Sequence, residues 1–143
     1  MAVAPLAGLR VLDLSRVLAG PWATQLLADL GADVIKVEVP GRGDETRTWG
    51  PPFAGTESAY FLATNRGKRS LALDLRTDAG AAVFCDLVRE SEVVIEGMRA
   101  GALAKRGLGY ERLRAVNPAL VFCAVSGFGQ TGPLRDLATH GVA

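Results

Sequence analysis

Arg66, Lys68 and Arg69 precede a short apolar alternation in the run Asn65-Arg66-Gly67-Lys68-Arg69-Ser70-Leu71-Ala72-Leu73-Asp74-Leu75-Arg76, and Arg76 follows it. Guanidinium and ammonium groups gathered beside rigid backbone suit a phosphate-bearing ligand. Further cations stand at Arg42 and Arg47 and at Arg99, Lys105 and Arg106. For any single one of them a solvated surface charge is the default role. His140, the one histidine, comes near the end of a glycine-rich loop that begins Ser126-Gly127-Phe128-Gly129-Gln130-Thr131-Gly132-Pro133. An imidazole there titrates near neutral pH and can take a proton from a carbon acid activated by a thioester. In the turn Arg16-Val17-Leu18-Ala19-Gly20-Pro21, free amides at a helix start bind anions and Gly20 permits close approach, although Gly-Pro also simply opens helices.

Other chemistries find less support. Glu38 ends the second apolar segment where a ribose-binding acid would lie, but G-x-G-x-x-G is absent from the preceding turn. There is no G-x-S-x-G, and neither cysteine has an obvious basic partner. Cys85 and Cys123 lie far apart without metal-ligand spacing, so both read as buried thiols, and no metal site is expected.

These residues need a scaffold, and 143 residues with 49% hydrophobic content supply a domain with a core. Sixteen basic against fifteen acidic residues leave a formal charge of +1, too little to hold the chain on nucleic acid or an anionic membrane. Phosphate recognition must therefore be local. The start, Met1 to Gly8, lacks the pattern of a signal peptide, and no apolar run is long enough to span a bilayer, so a cytoplasmic protein is expected.

The periodicities predict alternating strands and helices. Leu9 to Leu14 reads as a strand; Gly20-Pro21 opens a helix with Trp22, Leu26, Leu27 and Leu30 on one face, and Gly31 closes it. Val34 to Val39 is the second strand, followed by a loop from Pro40 to Gly55. Leu71, Leu73 and Leu75 alternate on one side of the third strand, with cations at its two ends. Val83, Phe84, Leu87 and Val88 mark a helix within Asp78 to Glu90; Glu92 to Glu96 is the fourth strand. Short helices broken near Gly107 and Gly109 lead to Leu120 to Val125, a fully apolar and therefore central fifth strand. Strands joined by helical crossovers imply an α/β fold with a mostly parallel sheet covered on both faces. The sequence ends within a loop of the kind that carries function in such sheets, so a truncated or split protein is expected.

In order along the chain, Leu9-Arg10-Val11-Leu12-Asp13-Leu14, Leu18-Ala19-Gly20-Pro21, Leu30 to Glu38 (LGADVIKVE) and Gly43-Asp44-Glu45-Thr46-Arg47 resemble the opening of the class III coenzyme A transferases. Trp49-Gly50-Pro51-Pro52-Phe53, the run Asn65 to Arg76, Val94 to Arg99 (VIEGMR) and Gly127 to Pro133 continue the resemblance over nearly the whole chain. That family includes formyl-CoA and carnitine CoA-transferases and is related to α-methylacyl-CoA racemase. The resemblance implies a Rossmann-like large domain plus a smaller one, in two chains interlocked as a homodimer. Residues 1–143 would be the amino-terminal CoA-binding part of the large domain, without the small domain or the segment carrying the catalytic aspartate.

By position, the family's CoA contacts fall on Leu18 and Ala19, on Leu73, Asp74, Leu75 and Arg76, on Gly97, Met98 and Arg99, on Lys105, and on Leu137, Ala138, Thr139 and His140. Two of the family's arginine positions differ: one is Val39, the other Lys105 with Arg106 beside it. The resemblance implies CoA exchange between an acyl-CoA and a carboxylic acid through a catalytic aspartate that forms acyl-anhydride and CoA-thioester intermediates. CoA is then a substrate and no cofactor is held permanently. The chain alone is expected to be inactive, and to self-associate through apolar surface. Two alternatives are an α-methylacyl-CoA racemase-like enzyme with His140 as base, although Gly141 stands where racemases usually have an aspartate, and a CoA-binding module without catalysis. Trp49 to Phe53 and Ser58 to Phe61 look more like the transferase branch.

Overall fold

A computed structural model describes residues 4–137. Its frame is a five-stranded sheet in the order β5-β2-β1-β6-β7, all neighbours parallel. The strands are β1 (Arg10–Leu14), β2 (Asp33–Glu38), β5 (Arg69–Ala72), β6 (Val93–Glu96) and β7 (Val121–Ala124). Helix α1 (Ala19–Asp29) links β1 to β2, α3 (Asp78–Arg89) links β5 to β6, and α4 (Tyr110–Val116) links β6 to β7. The long β2–β5 connection holds a 3-10 turn at Glu45–Thr48, a small antiparallel hairpin of β3 (Phe53–Ala54) and β4 (Glu57–Ser58), and α2 (Ala59–Asn65).

Period-two alternation divides each central strand between two environments. Leu12, Leu14, Ile35, Val37 and Val94 face Phe84 and Val88 of α3 and Leu113 of α4 in the larger apolar cluster. Val11, Val34 and Ile95 point to the other face, where Leu27 and Ala28 of α1 cover them. On that same face Asp13, Lys36 and Glu38 continue the alternation toward the carboxyl ends of β1 and β2, and all three are buried. One side of the sheet is thus apolar at its start and ionic at its end.

The α/β class, the parallel sheet and the short helical pieces around Gly107 and Gly109 are as the sequence predicts. Gly31, at φ +98°, closes α1 in the left-handed region where glycine is unpenalised. Three expectations are corrected. The fifth strand is an edge strand, its Val121 60% exposed, because β7 pairs with β6 alone among the described residues. Cys123 on that strand is exposed, while Cys85 is buried. The expected face of Trp22, Leu26, Leu27 and Leu30 is split: Leu27 packs on the sheet, whereas Trp22, Leu26 and Leu30 face outward, with Trp22 55% exposed, because α1 turns Gly20, Pro21, Thr24 and Gln25 toward the protein. Helix α2 lies in a stretch to which the sequence periodicity assigns no element; Ser58 caps it by accepting from the Tyr60 amide at 3.1 Å.

Gly20 shows why that polar face packs inward. A Cβ there would stand 2.2 Å from the Ser15 Cβ, so the start of α1 closes on the end of β1 with no room for a methyl group. Alanine ordinarily stabilises a helix relative to glycine, but here overpacking wins. Gly20→Ala is expected to lower unfolding stability by about 1–3 kcal/mol; a urea midpoint unchanged or raised would contradict the packing.

Candidate functional site

The strand order reverses direction between β1 and β6: from β1 the chain steps outward to β2 and β5, then returns to place β6 on β1's other side. In open parallel sheets the carboxyl end of such a switch point is a crevice, because the flanking connections leave on opposite faces. Ser15 to Leu18 follow β1 there, and Gly97 to Arg99 follow β6. The two turns approach so closely that a Cβ on Gly97 would lie 3.4 Å from the Ser15 Cβ. Leu18 and Ala19 are exposed at the start of α1. The amides of Leu18, Ala19 and Gly20 find no acceptor among the described residues.

Beneath the β1 turn lies a buried ionic network. Asp13 accepts from the Ser15 amide at 2.9 Å, from the Ser15 hydroxyl, from Thr24 Oγ1 at 2.6 Å and from Lys68 Nζ at 3.0 Å. Lys68 also donates to the Pro21 carbonyl at 2.8 Å and to Asn65 Oδ1 at 2.9 Å. Lys36 Nζ donates to the Ser15 carbonyl and pairs with Asp44, each at 2.9 Å. Asp44 also accepts from the Thr46 amide and hydroxyl, while its own amide donates to Glu38 at 2.8 Å. Arg47 grips Glu38 with two bonds of 2.9 and 2.7 Å and stacks 3.8 Å over the Phe61 ring. Burial alone would raise Asp44 and Glu38; Lys36 with Thr46, and Arg47 with Ser70 and the Asp44 amide, outweigh it and hold both carboxyls below their usual range.

This network changes the reading of the cations. Lys68 is not a solvated charge: its side chain is 2% exposed, locked against Asp13. Arg66 and Arg69 remain at the surface and pair with Asp29 and Asp33. Glu38 is committed to Arg47, Ser70 and the Asp44 amide, so it does not serve as a ribose acceptor.

The sequence-predicted contacts Leu18 and Ala19, Leu73 to Arg76, Gly97 to Arg99 and Lys105 all follow the carboxyl ends of β1, β5 and β6. Leu73, Leu75 and Met98 root in the same apolar cluster as Leu103, which fixes their backbone while leaving Arg76, Arg99 and Lys105 exposed. Leu75 is buried, so its side chain is not offered to a ligand. Arg76 is held by Asp74 through a pair of 2.8 Å bonds; that contact, with a smaller pull from Arg106, brings the Asp74 pKa to about 2. Leu137 is exposed, whereas Ala138, Thr139 and His140 lie outside the described residues.

Sequence reasoning missed Glu96. Its carboxylate is buried at the end of β6, pushed above its usual pKa by burial against the opposing effect of the Met98 amide, which it accepts at 2.7 Å. It therefore holds the turn that carries Gly97 and Met98. Glu96 also borders an apolar groove of about 660 Å³ lined by Leu103, Tyr110, Leu120, Phe122 and Gln130, which contains none of the predicted contacts. An acid closing an otherwise apolar strand was the available signal. Among the described residues no cluster of His, Cys, Asp or Glu could hold a metal, and no helix is long and apolar enough to cross a membrane.

A five-stranded parallel sheet in this order, with its exposed turns at the switch point, defines a Rossmann-like α/β protein. The chain belongs to the CoA-transferase family III, whose model matches residues 6–143. It is 57% identical over 142 residues to a succinate–glutarate CoA-transferase of Agrobacterium fabrum, covering 95% of this chain and 36% of that protein. It is 49% identical over 138 residues to the human succinyl-CoA:glutarate CoA-transferase, covering 96% of this chain and 32% of that protein. A CAIB/BAIF family protein from Brucella suis superposes with a TM-score of 0.90 at 55% identity, over 94% of this chain and 36% of that one. The chain thus spans about a third of the length of the curated relatives it matches.

Lys68 gives the network a measurable pH signature. Its burial outweighs the pull of Asp13 and lowers its pKa from 10.5 to about 8. Between those values the unfolded chain binds the extra proton, so this group's contribution to stability rises with pH across that window. Urea midpoints followed from about pH 8 to pH 10 should therefore climb in the native chain relative to Lys68→Met. Parallel curves would show that Lys68 titrates as an exposed lysine.

Proposed function

We propose that this chain is the amino-terminal CoA-binding part of an acyl-CoA transferase that moves coenzyme A between an acyl-CoA and a carboxylic acid. A dicarboxylic acid of the succinate and glutarate class fits best. The observation that carries the reading is the identity of about half or more, over nearly the whole chain, to enzymes named for that exchange. The switch-point geometry supports it: the turn that leads into Leu18 and Ala19 packs against the turn of Gly97 to Arg99, with exposed Arg76, Arg99 and Lys105 on turns at the same edge of the sheet. Backbone amides there suit the thioester and pantetheine polar groups, and the cations suit the phosphates. Leu137 and His140 belong to the same proposed contact set, and the large-domain assignment and interlocked homodimer are proposed with it.

The catalytic aspartate is proposed to lie in sequence equivalent to the part of the relatives that this chain does not match. The names of the relatives favour transfer over racemisation. Calorimetric titration of the purified 143-residue chain with CoA should show binding, and Arg76→Ala should weaken it by about tenfold through loss of a charge-assisted phosphate contact. Absence of binding would remove the CoA reading. Mixed with succinyl-CoA and glutarate, the chain alone should form no glutaryl-CoA; measurable product would place the acyl-carrying group within residues 1–143.

A further inference from the structure

Val17 has φ +69°, the one non-glycine residue with positive φ among those described. A β-branched side chain is strained there, and such a conformation persists only where its surroundings over-determine it. The surroundings are specific. The Val17 amide points at the Asp44 carboxylate, 3.3 and 3.5 Å from its two oxygens. Lys36 Nζ bridges that carboxylate to the Ser15 carbonyl, two residues back, at 2.9 Å to each. Asp13 holds the Ser15 amide from the other side. Both members of the Lys36–Asp44 pair are buried, with side chains 2% and 0% exposed, so neither reaches the crevice itself.

We propose that the buried Lys36–Asp44 pair is a positioning device: it imposes the left-handed conformation on Val17 and so aims the backbone of Leu18 and Ala19 into the switch-point crevice. A relaxed Val17 would rotate the peptide that enters α1 and withdraw those amides from the ligand. The ligand half of the inference rests on the proposed CoA contacts of Leu18 and Ala19; the conformational half does not.

The test uses the 143-residue chain and two independent readouts. A positive φ brings a residue's own amide and Hα protons together, so Val17 should give an intense intraresidue cross-peak in a nuclear Overhauser spectrum without ligand. Asp44→Ala should weaken that peak several-fold, to the intensity given by residues of negative φ, and weaken CoA binding by about tenfold. Glycine adopts positive φ without strain, so Val17→Gly in the Asp44→Ala background should restore affinity to near the native value. If Asp44→Ala does not fold, Asp44→Asn, which keeps an acceptor but leaves Lys36 without its counter-charge, replaces it with the same expectations.

An Asp44 variant whose Val17 peak keeps its native intensity overturns the proposal. So does a folded double variant that binds CoA no better than Asp44→Ala, because the pair would then support the domain generally rather than this turn. Failure of the native chain to bind CoA removes the ligand reading, and the cross-peak still decides whether the pair holds Val17.

Discussion

The carboxyl end of the sheet depends on two buried ion pairs, Asp13 with Lys68 and Lys36 with Asp44. Each places a charge on a face that the first half of the same strand makes apolar. Burying such groups is unfavourable unless every remaining donor and acceptor is engaged. Here that condition shapes the local chain: the Lys36 ammonium takes up a carbonyl at the end of β1, Lys68 takes up one in the first turn of α1, and Asp44 reaches the amides of Val17 and Thr46. The strands cannot end in arbitrary turns, because the turns supply the missing partners. Satisfied in this way, the pairs act less as glue than as a specification of geometry.

That specification explains the inverted packing of α1. A helix laid over an apolar sheet normally buries its large side chains. Over the ionic end of β1 it must instead bring a hydroxyl to Asp13 and a bare backbone to Ser15, which Thr24 and Gly20 do. Gln25 extends the same logic by accepting from the Arg66 amide, tying α1 to the end of α2. Trp22, Leu26 and Leu30 are left on the outer surface as a consequence of what the inner surface requires.

Much of this was legible in the sequence. Alternation in Arg10–Leu14 and Asp33–Glu38 marks both strands, and the glycines at 31 and 107 mark helix ends, because local sterics decide these features. The fifth strand was misplaced because Val121 to Ala124 is apolar throughout, and composition cannot distinguish a central strand from an edge. Helix α2 was hidden by its length of seven residues, too short for a period to emerge. Lys68 was obscured for another reason: its partner Asp13 lies 55 positions away, and nothing in a run of cations tells which member turns inward. For the candidate site, the contact stretches were recognisable as motifs, while the network that orients them appears only when Asp13, Lys36, Asp44 and Lys68 are brought together by the fold.

The strand order has a consequence for how the domain can be made. Every strand of the main sheet after the first pairs with one that precedes it in sequence: β2 on β1, β5 on β2, β6 on β1, and β7 on β6. Once β1 has emerged, each further described main-sheet strand therefore leaves the ribosome after its first partner has already been made. The sheet can grow vectorially, each new strand docking on an edge already formed, with β1 as the seed from which both wings extend.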